Sequence, residues 1–364
     1  MLLDRRLLSN LDWVSLGAVL LLCAVGAATI ASATYETRFA PLYAKQASLV
    51  GVGLMVLLAT LAVDYRRLAD RAPLFLVLAA LLLVYVLLFG PRVAGTRRWF
   101  FIGPLQVQPS ELAKLAAALF IAKVFSEWRK DSLGLADLFG PGAAVGLLAL
   151  LIAAEPDLGT AFCLVPMFLA VALLAGLRLR AVVVLLLGLL VLGGLGWRYA
   201  LKDYQKERIY TFLDPERDPR GTGYQKIQSQ IAVGSGGLLG KGYRNGSQSR
   251  LGYLPARHTD FIFSVLAEEF GFAGVAGVLG LYLLLLWRML ETAARARDRV
   301  GAFLAAALAS VLAFQVVYNV AMVAGLVPVK GLPLPFMSYG GASLLSSMLA
   351  LGLVLNVRMR RFAN

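Results

Sequence analysis

The stretch WVSLGAVLLLCAVGAATIA, residues 13–31, decides the fold class of this chain. It contains no charged residue, and as a helix it is long enough to cross a hydrocarbon core about 30 Å thick. Arg5 and Arg6 precede it, as they would precede a secretory signal, but the run is long and no clear small-residue cleavage site follows it. We therefore expect it to be retained as a first membrane-spanning helix.

Apolar runs of this kind recur along the whole chain. The sequence is 59% hydrophobic and only 15% charged, whereas a soluble domain carries about 25% charged residues. The runs are centred near residues 22, 54, 82, 117, 147, 167, 187, 274, 311 and 349. Because lipid-exposed sheet edges do not occur in a bilayer, this pattern predicts an all-α polytopic membrane protein with ten transmembrane helices.

The net charge of +14 follows the same pattern, with arginine and lysine concentrated in alternate connections. These basic segments all lie on the cytoplasmic side if both termini are cytoplasmic; they are residues 5–6, 66–71, 129–130, 178–180, 288–299 and 358–361. Much of the charge is therefore topological and does not indicate a nucleic-acid partner. The basic residues that remain on the outer side suit an anionic substrate or lipid.

This topology leaves one large extracytoplasmic loop, residues 197–258, between spans seven and eight of a single membrane domain, residues 1–364. Its aromatic, apolar and glycine residues favour a folded segment with short helices such as Tyr224–Val233. Within it, Gly234–Gly242 does not match a phosphate-binding P-loop, because Ser235 and Gly242 stand at required positions. Its amides beside Lys241 could still hold a phosphate, or the segment could be a plain flexible loop.

The heptapeptide RHTDFIF, residues 257–263, contains the most informative carboxylate. Asp260 stands where the large loop ends and the eighth span begins, and a carboxylate at that depth needs a partner or a function. Two interpretations stay open, an ordinary helix N-cap or a reactive group. His258 is the only histidine and cannot form a zinc site alone, so we expect it to make a structural hydrogen bond.

Other polar residues lie in or beside the spans. Glu111 and Lys114 are three residues apart on one helical face and can pair, either to fix helix packing or to bind an anionic head group. Asp157 follows Glu155-Pro156 between spans five and six, where it could cap the next helix or contact substrate. We expect Glu268 and Glu269 to be packing or hydrogen-bonding groups within the eighth span, with proton carriers as the alternative. Cys23 and Cys163 lie inside apolar runs and are not placed for a disulfide.

Five motifs together resemble the SEDS (shape, elongation, division, sporulation) family of bacterial cell-wall polymerases, over nearly the whole chain. They are GTRRW (95–99), QPSELAK (108–114), PDLGT (156–160), LPARHTDFIF (254–263) and LPFMSYGG (334–341). The segments 214–219 and 227–242 are similar to the RodA type more than the FtsW type. The chain departs from the family at Glu155, where glutamine is usual, and this adds a negative charge beside Asp157.

The resemblance implies a peptidoglycan glycosyltransferase that polymerises lipid II during cell elongation and rod-shape maintenance and releases undecaprenyl pyrophosphate. It implies a bacterial cytoplasmic membrane protein whose active site faces outward, working with a class B penicillin-binding protein and other elongation proteins. Asp260 would be the catalytic base, or a ligand of a divalent cation such as Mg²⁺ or Mn²⁺. The candidate substrate-binding residues are Glu111, Lys114, Arg98, Asp157, Arg208, Lys241 and Ser338.

Two other functions remain open for the same chain. A lipid II flippase would share the substrate, although clustering of the candidate residues on one side argues against a path through both leaflets. A non-catalytic scaffold of the elongation machinery would not need Asp260.

Overall fold

Helices account for most of the chain in the computed structural model, which describes residues 10–35, 37, 39–93, 95–103, 105–128, 132–199, 203–219 and 221–362. The basic segments 5–6 and 129–130 lie outside the described residues. The helices are α1 (Trp13–Ala33), α2 (Leu42–Ala62), α3 (Tyr65–Asp70), α4 (Ala72–Phe89), α5 (Pro109–Glu127), α6 (Leu135–Ala154), α7 (Leu158–Leu174), α8 (Leu179–Tyr199), α9 (Asp203–Leu213), α10 (Thr222–Ser235), α11 (Ser247–Arg250), α12 (Ile262–Ala294), α13 (Arg299–Val323) and α14 (Gly341–Met359).

The ten predicted span centres each fall inside one of the long helices, which confirms the all-α class. Among the described residues, seven helices are long and apolar enough to cross a membrane: α1, α2, α4, α6, α12, α13 and α14. The remaining three long helices are α5, which contains Glu111 and Lys114, the shorter apolar α7, and α8. Ten spans with both termini cytoplasmic therefore stay a prediction.

Helix α5 lies at the centre of the bundle and packs against α4, α7 and α13. Its fully buried positions include Ala113, Ala117, Ala118 and Ala122, and such small side chains let neighbouring helix backbones approach closely. Helix α8 is the opposite case, because its described side chains are exposed or half-buried except Ala181. The bundle therefore has a close-packed centre and one loosely held helix.

A small antiparallel hairpin precedes α5 and was not predicted from the sequence. Strands β1 (Phe100–Ile102) and β2 (Leu105–Val107) pair with Phe100 opposite Val107. Three-residue strands are too short to show a period-two pattern. The hairpin places the end of the 95–99 motif close to the start of α5, where Pro109 occupies the first turn.

The large loop is folded, as the sequence predicts. Helix α8 continues to Tyr199, so the connection begins a little later than residue 197. Two 3₁₀ turns, Pro215–Arg217 and Arg360–Phe362, complete the regular structure. The predicted helix Tyr224–Val233 lies within α10, which confirms that prediction.

The glycine-rich segment 234–242 fills a break in α12. Gly271 has φ 61° and ψ −160°, a conformation open essentially to glycine alone. The amides of Lys241 and Gly242 donate to the carbonyl oxygens of Glu268 and Glu269, at 3.0 and 2.9 Å. These amides are therefore occupied by the broken helix, and the interpretation of this segment as a phosphate cradle was wrong for the amides that flank the lysine.

Candidate functional site

Charged residues from distant parts of the sequence meet around one cavity of about 420 Å³. The start of α7, helix α9, the turn that precedes α12 and the connection between α13 and α14 all contribute to its wall. Three cations and two carboxylates line this space, and they are Arg98, Arg208, Lys330, Asp157 and Asp260. The charged wall residues therefore carry a net formal charge of +1, which suits an anionic ligand.

Asp260 is the least constrained carboxylate in this cavity. Within the described part of the chain no hydrogen bond or ion pair reaches its side chain, although Arg208 is near enough to interact electrostatically. Burial raises the pKa of the Asp260 carboxyl to about 6, while Arg208 opposes that rise. A carboxylate that is ionised at neutral pH, poorly solvated and unpaired is suited to accept a proton.

The N-cap interpretation of Asp260 was wrong. The N-cap of α12 is Phe261, and no side chain caps this helix end. The chain makes turns from 255 to 261 before the helix begins, so the Asp260 carboxylate is free to face the cavity. Gly331 lies against it, because a Cβ atom at position 331 would be 3.1 Å from Asp260 Oδ2.

Asp157, in contrast, is fully occupied by local structure. It is the N-cap of α7 and accepts a hydrogen bond from the Thr160 amide, as one of the two sequence interpretations proposed. Its other oxygen accepts from Gln108 Nε2 at 3.0 Å and Ser110 Oγ at 3.3 Å. Asp157 therefore fixes the cavity wall by joining the start of α7 to the start of α5.

Arg98 supports the same wall through the backbone. Its guanidinium donates to the carbonyl oxygens of Glu155 and Pro156, at 2.7 and 2.6 Å. The Glu155 side chain is buried, and neither carboxyl oxygen has a hydrogen-bond partner among the described residues. Burial, together with nearby Asp157, raises the pKa of Glu155 to about 8. Glu155 is therefore mostly neutral at pH 7, much as the glutamine usual in the family would be.

Glu111 and Lys114 form the predicted pair, but inside the bundle. Their charged atoms are 3.0 Å apart and both side chains are buried. Ser346 of α14 donates to the second Glu111 oxygen at 2.5 Å. The pair does not line the cavity around Asp260; Lys114 instead borders a void of about 30 Å³ in the core. This geometry favours the packing role that the sequence left open.

Lys241 also lies away from the Asp260 cavity. Its ammonium contacts Glu268 Oε1 at 2.7 Å, and the same carboxylate accepts from Ser247 and the Gln248 amide. Glu269 accepts from Ser32. The two glutamates are therefore hydrogen-bonding groups, as predicted, and Lys241 neutralises one of them.

His258 and Ser338 hold the peptide around Asp260 in place. The His258 ring stacks on Phe39 with centroids 5.3 Å apart and lies 6.0 Å from the Tyr339 ring. Its structural role therefore comes from ring packing, because no side-chain hydrogen bond of His258 is present among the described residues. Ser338 Oγ donates to the Thr259 carbonyl oxygen at 2.7 Å, so Ser338 is a support and does not line the cavity.

Lys330 is the charged cavity residue that was not predicted from the sequence. Burial, with nearby Arg208, lowers the pKa of the Lys330 ammonium to about 8, and the ammonium lies 4.7 Å from the centre of the Phe162 ring. The sequence feature that could have indicated Lys330 is its position as the one charged residue in the apolar, proline-rich segment 326–336. The two free cysteines, Cys23 and Cys163, are buried and unpaired with each other, as predicted.

Comparison with known proteins places almost the entire chain in one family. Residues 7–362 match the cell cycle protein family model named for FtsW, RodA and SpoVE. The chain is 39% identical to the peptidoglycan glycosyltransferase MrdB of Escherichia coli (strain K12), over 86% of this chain and 84% of that protein. It is 33% identical to the peptidoglycan glycosyltransferase RodA of Treponema pallidum (strain Nichols), over 98% of this chain and 99% of that protein.

Solved structures give the same result. A chain from work on the structural coordination of polymerization and crosslinking by a peptidoglycan synthase complex superposes with a TM-score of 0.84 at 37% identity, covering 97% of this chain and 99% of that chain. The rod shape determining protein RodA of Thermus thermophilus superposes with a TM-score of 0.73 at 32% identity, covering 97% and 98%.

Proposed function

Because the chain belongs to the FtsW, RodA and SpoVE family of cell cycle proteins, we propose that it is a peptidoglycan glycosyltransferase of the RodA type. It polymerises lipid II during cell elongation and rod-shape maintenance. It is a multi-pass protein of the bacterial cytoplasmic membrane and works with a class B penicillin-binding protein that cross-links the glycan. The observation that carries this proposal is the unpaired Asp260 carboxylate facing a cavity with three cations.

Glycosyl transfer needs a base on one side of the reacting carbon and positive charge on the other. The 4-hydroxyl oxygen of the acceptor sugar forms a bond to the anomeric carbon of the lipid-linked chain, and the bond from that carbon to the diphosphate breaks. Asp260 takes the hydroxyl proton. The electron pair leaves with undecaprenyl pyrophosphate, whose new charge requires stabilisation.

Arg208 and Lys330 are the cations placed to stabilise that charge. Both line the cavity with Asp260, and neither makes a hydrogen bond or ion pair to another described residue. Arg98 has a supporting role, since its guanidinium is engaged by the backbone of residues 155 and 156. Asp157 also has a supporting role, since its carboxylate is engaged by Gln108, Ser110 and the Thr160 amide and holds the cavity wall in shape.

A divalent cation fits this site only with help from the substrate. The described residues contain no group of three or more histidine, cysteine or acidic side chains able to hold a metal ion. Mg²⁺ commonly uses one or two carboxylates together with substrate phosphates. Asp260 would then be the protein ligand, and the bound ion would neutralise the leaving diphosphate.

The membrane supplies the apolar tail of the substrate directly to this cavity. Phe162 lines the cavity and is about half exposed, at 49%, so it offers an apolar surface to the substrate tail beside the charged wall. The predicted topology puts this end of α7 on the extracytoplasmic side. The active site therefore faces outward, where the glycan is assembled.

Reconstitution with defined substrate tests the function. Purified protein together with its class B partner is expected to convert lipid II into glycan strands that are resolved by gel electrophoresis. In sealed vesicles, movement of lipid II across the bilayer without polymer would favour a flippase. Absence of both activities would favour a scaffold.

A further inference from the structure

Asn319 connects the two cavity segments that carry Asp260 and Lys330. It is fully buried in the outer part of α13. Its Nδ2 atom donates to the carbonyl oxygen of Asp260 at 2.9 Å and to that of Leu332 at 2.8 Å. One side-chain amide therefore fixes the turn that precedes α12 to the connection between α13 and α14.

The two preceding carbonyl groups, of His258 and Thr259, are also hydrogen-bonded to the segment that follows α13. The His258 carbonyl oxygen accepts from the Tyr339 amide at 2.9 Å, and the Thr259 carbonyl oxygen accepts from Ser338. Three consecutive carbonyls, 258 to 260, are thus tied to α13 or to the segment that follows it. Of these three contacts, the one from Asn319 reaches Asp260 itself, the residue that bears the free carboxylate.

We propose that Asn319 is a positioning residue for glycosyl transfer, which sets the Asp260 carboxylate at a fixed place relative to the Lys330 ammonium. This inference rests on the proposed function of Asp260. The two amide hydrogens are what the site requires, because both acceptors are carbonyl oxygens. The Asn319 oxygen itself has no partner among the described residues, so the side chain acts through its donors.

Asn356 provides a matched control elsewhere in the bundle. It is also fully buried, and its Nδ2 atom donates to the backbone oxygens of Thr60 and Val63, at 2.8 and 2.6 Å. Asn356 is near the other end of α14 and does not line the Asp260 cavity. Leucine has the same number of side-chain heavy atoms and the same branching as asparagine, but neither a donor nor an acceptor. Asn319→Leu removes the two donated bonds. Asn356→Leu removes its donated bonds and also the bonds that its Oδ1 accepts from the Tyr65 amide and from Arg360, so the control is the more disruptive change.

The test compares kcat and KM of both variants on lipid II, in complex with the class B partner. Asn319→Leu is expected to lower kcat about 10- to 100-fold with KM nearly unchanged, since a misplacement of 1 Å at a reacting group can cost about 100-fold. In the pH profile of kcat, the acid limb of Asn319→Leu is expected to lie at lower pH than that of the native protein, because a displaced Asp260 carboxylate is better solvated and its pKa falls. Asn356→Leu is expected to keep kcat within about twofold. Equal losses of kcat in the two variants would overturn the proposal.

A second measurement does not depend on activity. A Cβ atom at position 331 would lie 3.7 Å from Asp260 Cγ, so Asp260→Cys combined with Gly331→Cys is expected to form a disulfide readily on mild oxidation. Adding Asn319→Leu is expected to slow this reaction several-fold, and an unchanged rate would contradict the positioning role. Failure of the native protein to polymerise lipid II would instead count against the proposed function alone.

Discussion

Replacing Asp260 by alanine is expected to stabilise the protein at neutral pH while it removes the activity. Burial, opposed by Arg208, raises the pKa of this carboxyl from 3.8 to about 6, which corresponds to about 3 kcal/mol. Below pH 3.8 the carboxyl is protonated in both the folded and the unfolded protein, so its ionisation costs nothing. Between pH 3.8 and 6 the carboxyl ionises in the unfolded protein but stays protonated in the folded one, so the cost grows across this range and is fully present at pH 8.

Thermal unfolding of the purified protein at pH 4 and pH 8 measures this effect. Asp260→Ala is expected to unfold on the order of 5 °C higher than the native protein at pH 8, with little difference at pH 4. Asp157→Ala is the control from the same cavity, and it is expected to lower stability by about 1 kcal/mol because an N-cap is lost. A stability loss for Asp260→Ala at pH 8, or a gain independent of pH, would refute the reasoning.

Three further predictions concern the groups around Asp260. Since the pKa of Glu155 is raised from 4.5 to about 8, its destabilising effect grows between those two pH values, and the native protein is expected to lose more stability than Glu155→Gln as pH rises from 6 to 7.5 in the same thermal assay. Lys330→Met is expected to lower the polymerisation rate about 100-fold. Lys226→Met is the control and is expected to change the rate little, because Lys226 lies over Phe212 outside the cavity. Equal polymerisation rates for the two variants would exclude Lys330 from the chemistry. EDTA is expected to slow polymerisation and Mg²⁺ to restore it, and a rate insensitive to both would favour Asp260 acting as a base without a metal.

Local sequence patterns were enough for the helices and for the contacts within them. Apolar runs located all ten long helices because each depends on a continuous stretch of residues. The Glu111–Lys114 pair followed from a spacing of three, and the Asp157 cap followed from its place before an apolar run. These features need no knowledge of what packs against them.

Contacts between distant segments could not be predicted in this way. Lys330 enters the cavity because the α13–α14 connection returns to Asp260, 70 positions earlier in the chain. The amides beside Lys241 are used by α12 only because that helix breaks at Gly271. Arg98 is engaged by backbone oxygens 57 and 58 residues away. Each of these depends on tertiary packing, so the sequence could not indicate that Lys241 lies outside the Asp260 cavity or that Lys330 lines it.

Polymerisation of lipid II by the Asp260→Ala protein, in complex with its class B partner, tests the central claim most directly. The native complex is expected to produce glycan strands, and the variant complex, folded and assembled as judged by its thermal unfolding and size, to produce none. Glycan strands formed by Asp260→Ala at the native rate would contradict the assignment of this cavity as the site of glycosyl transfer.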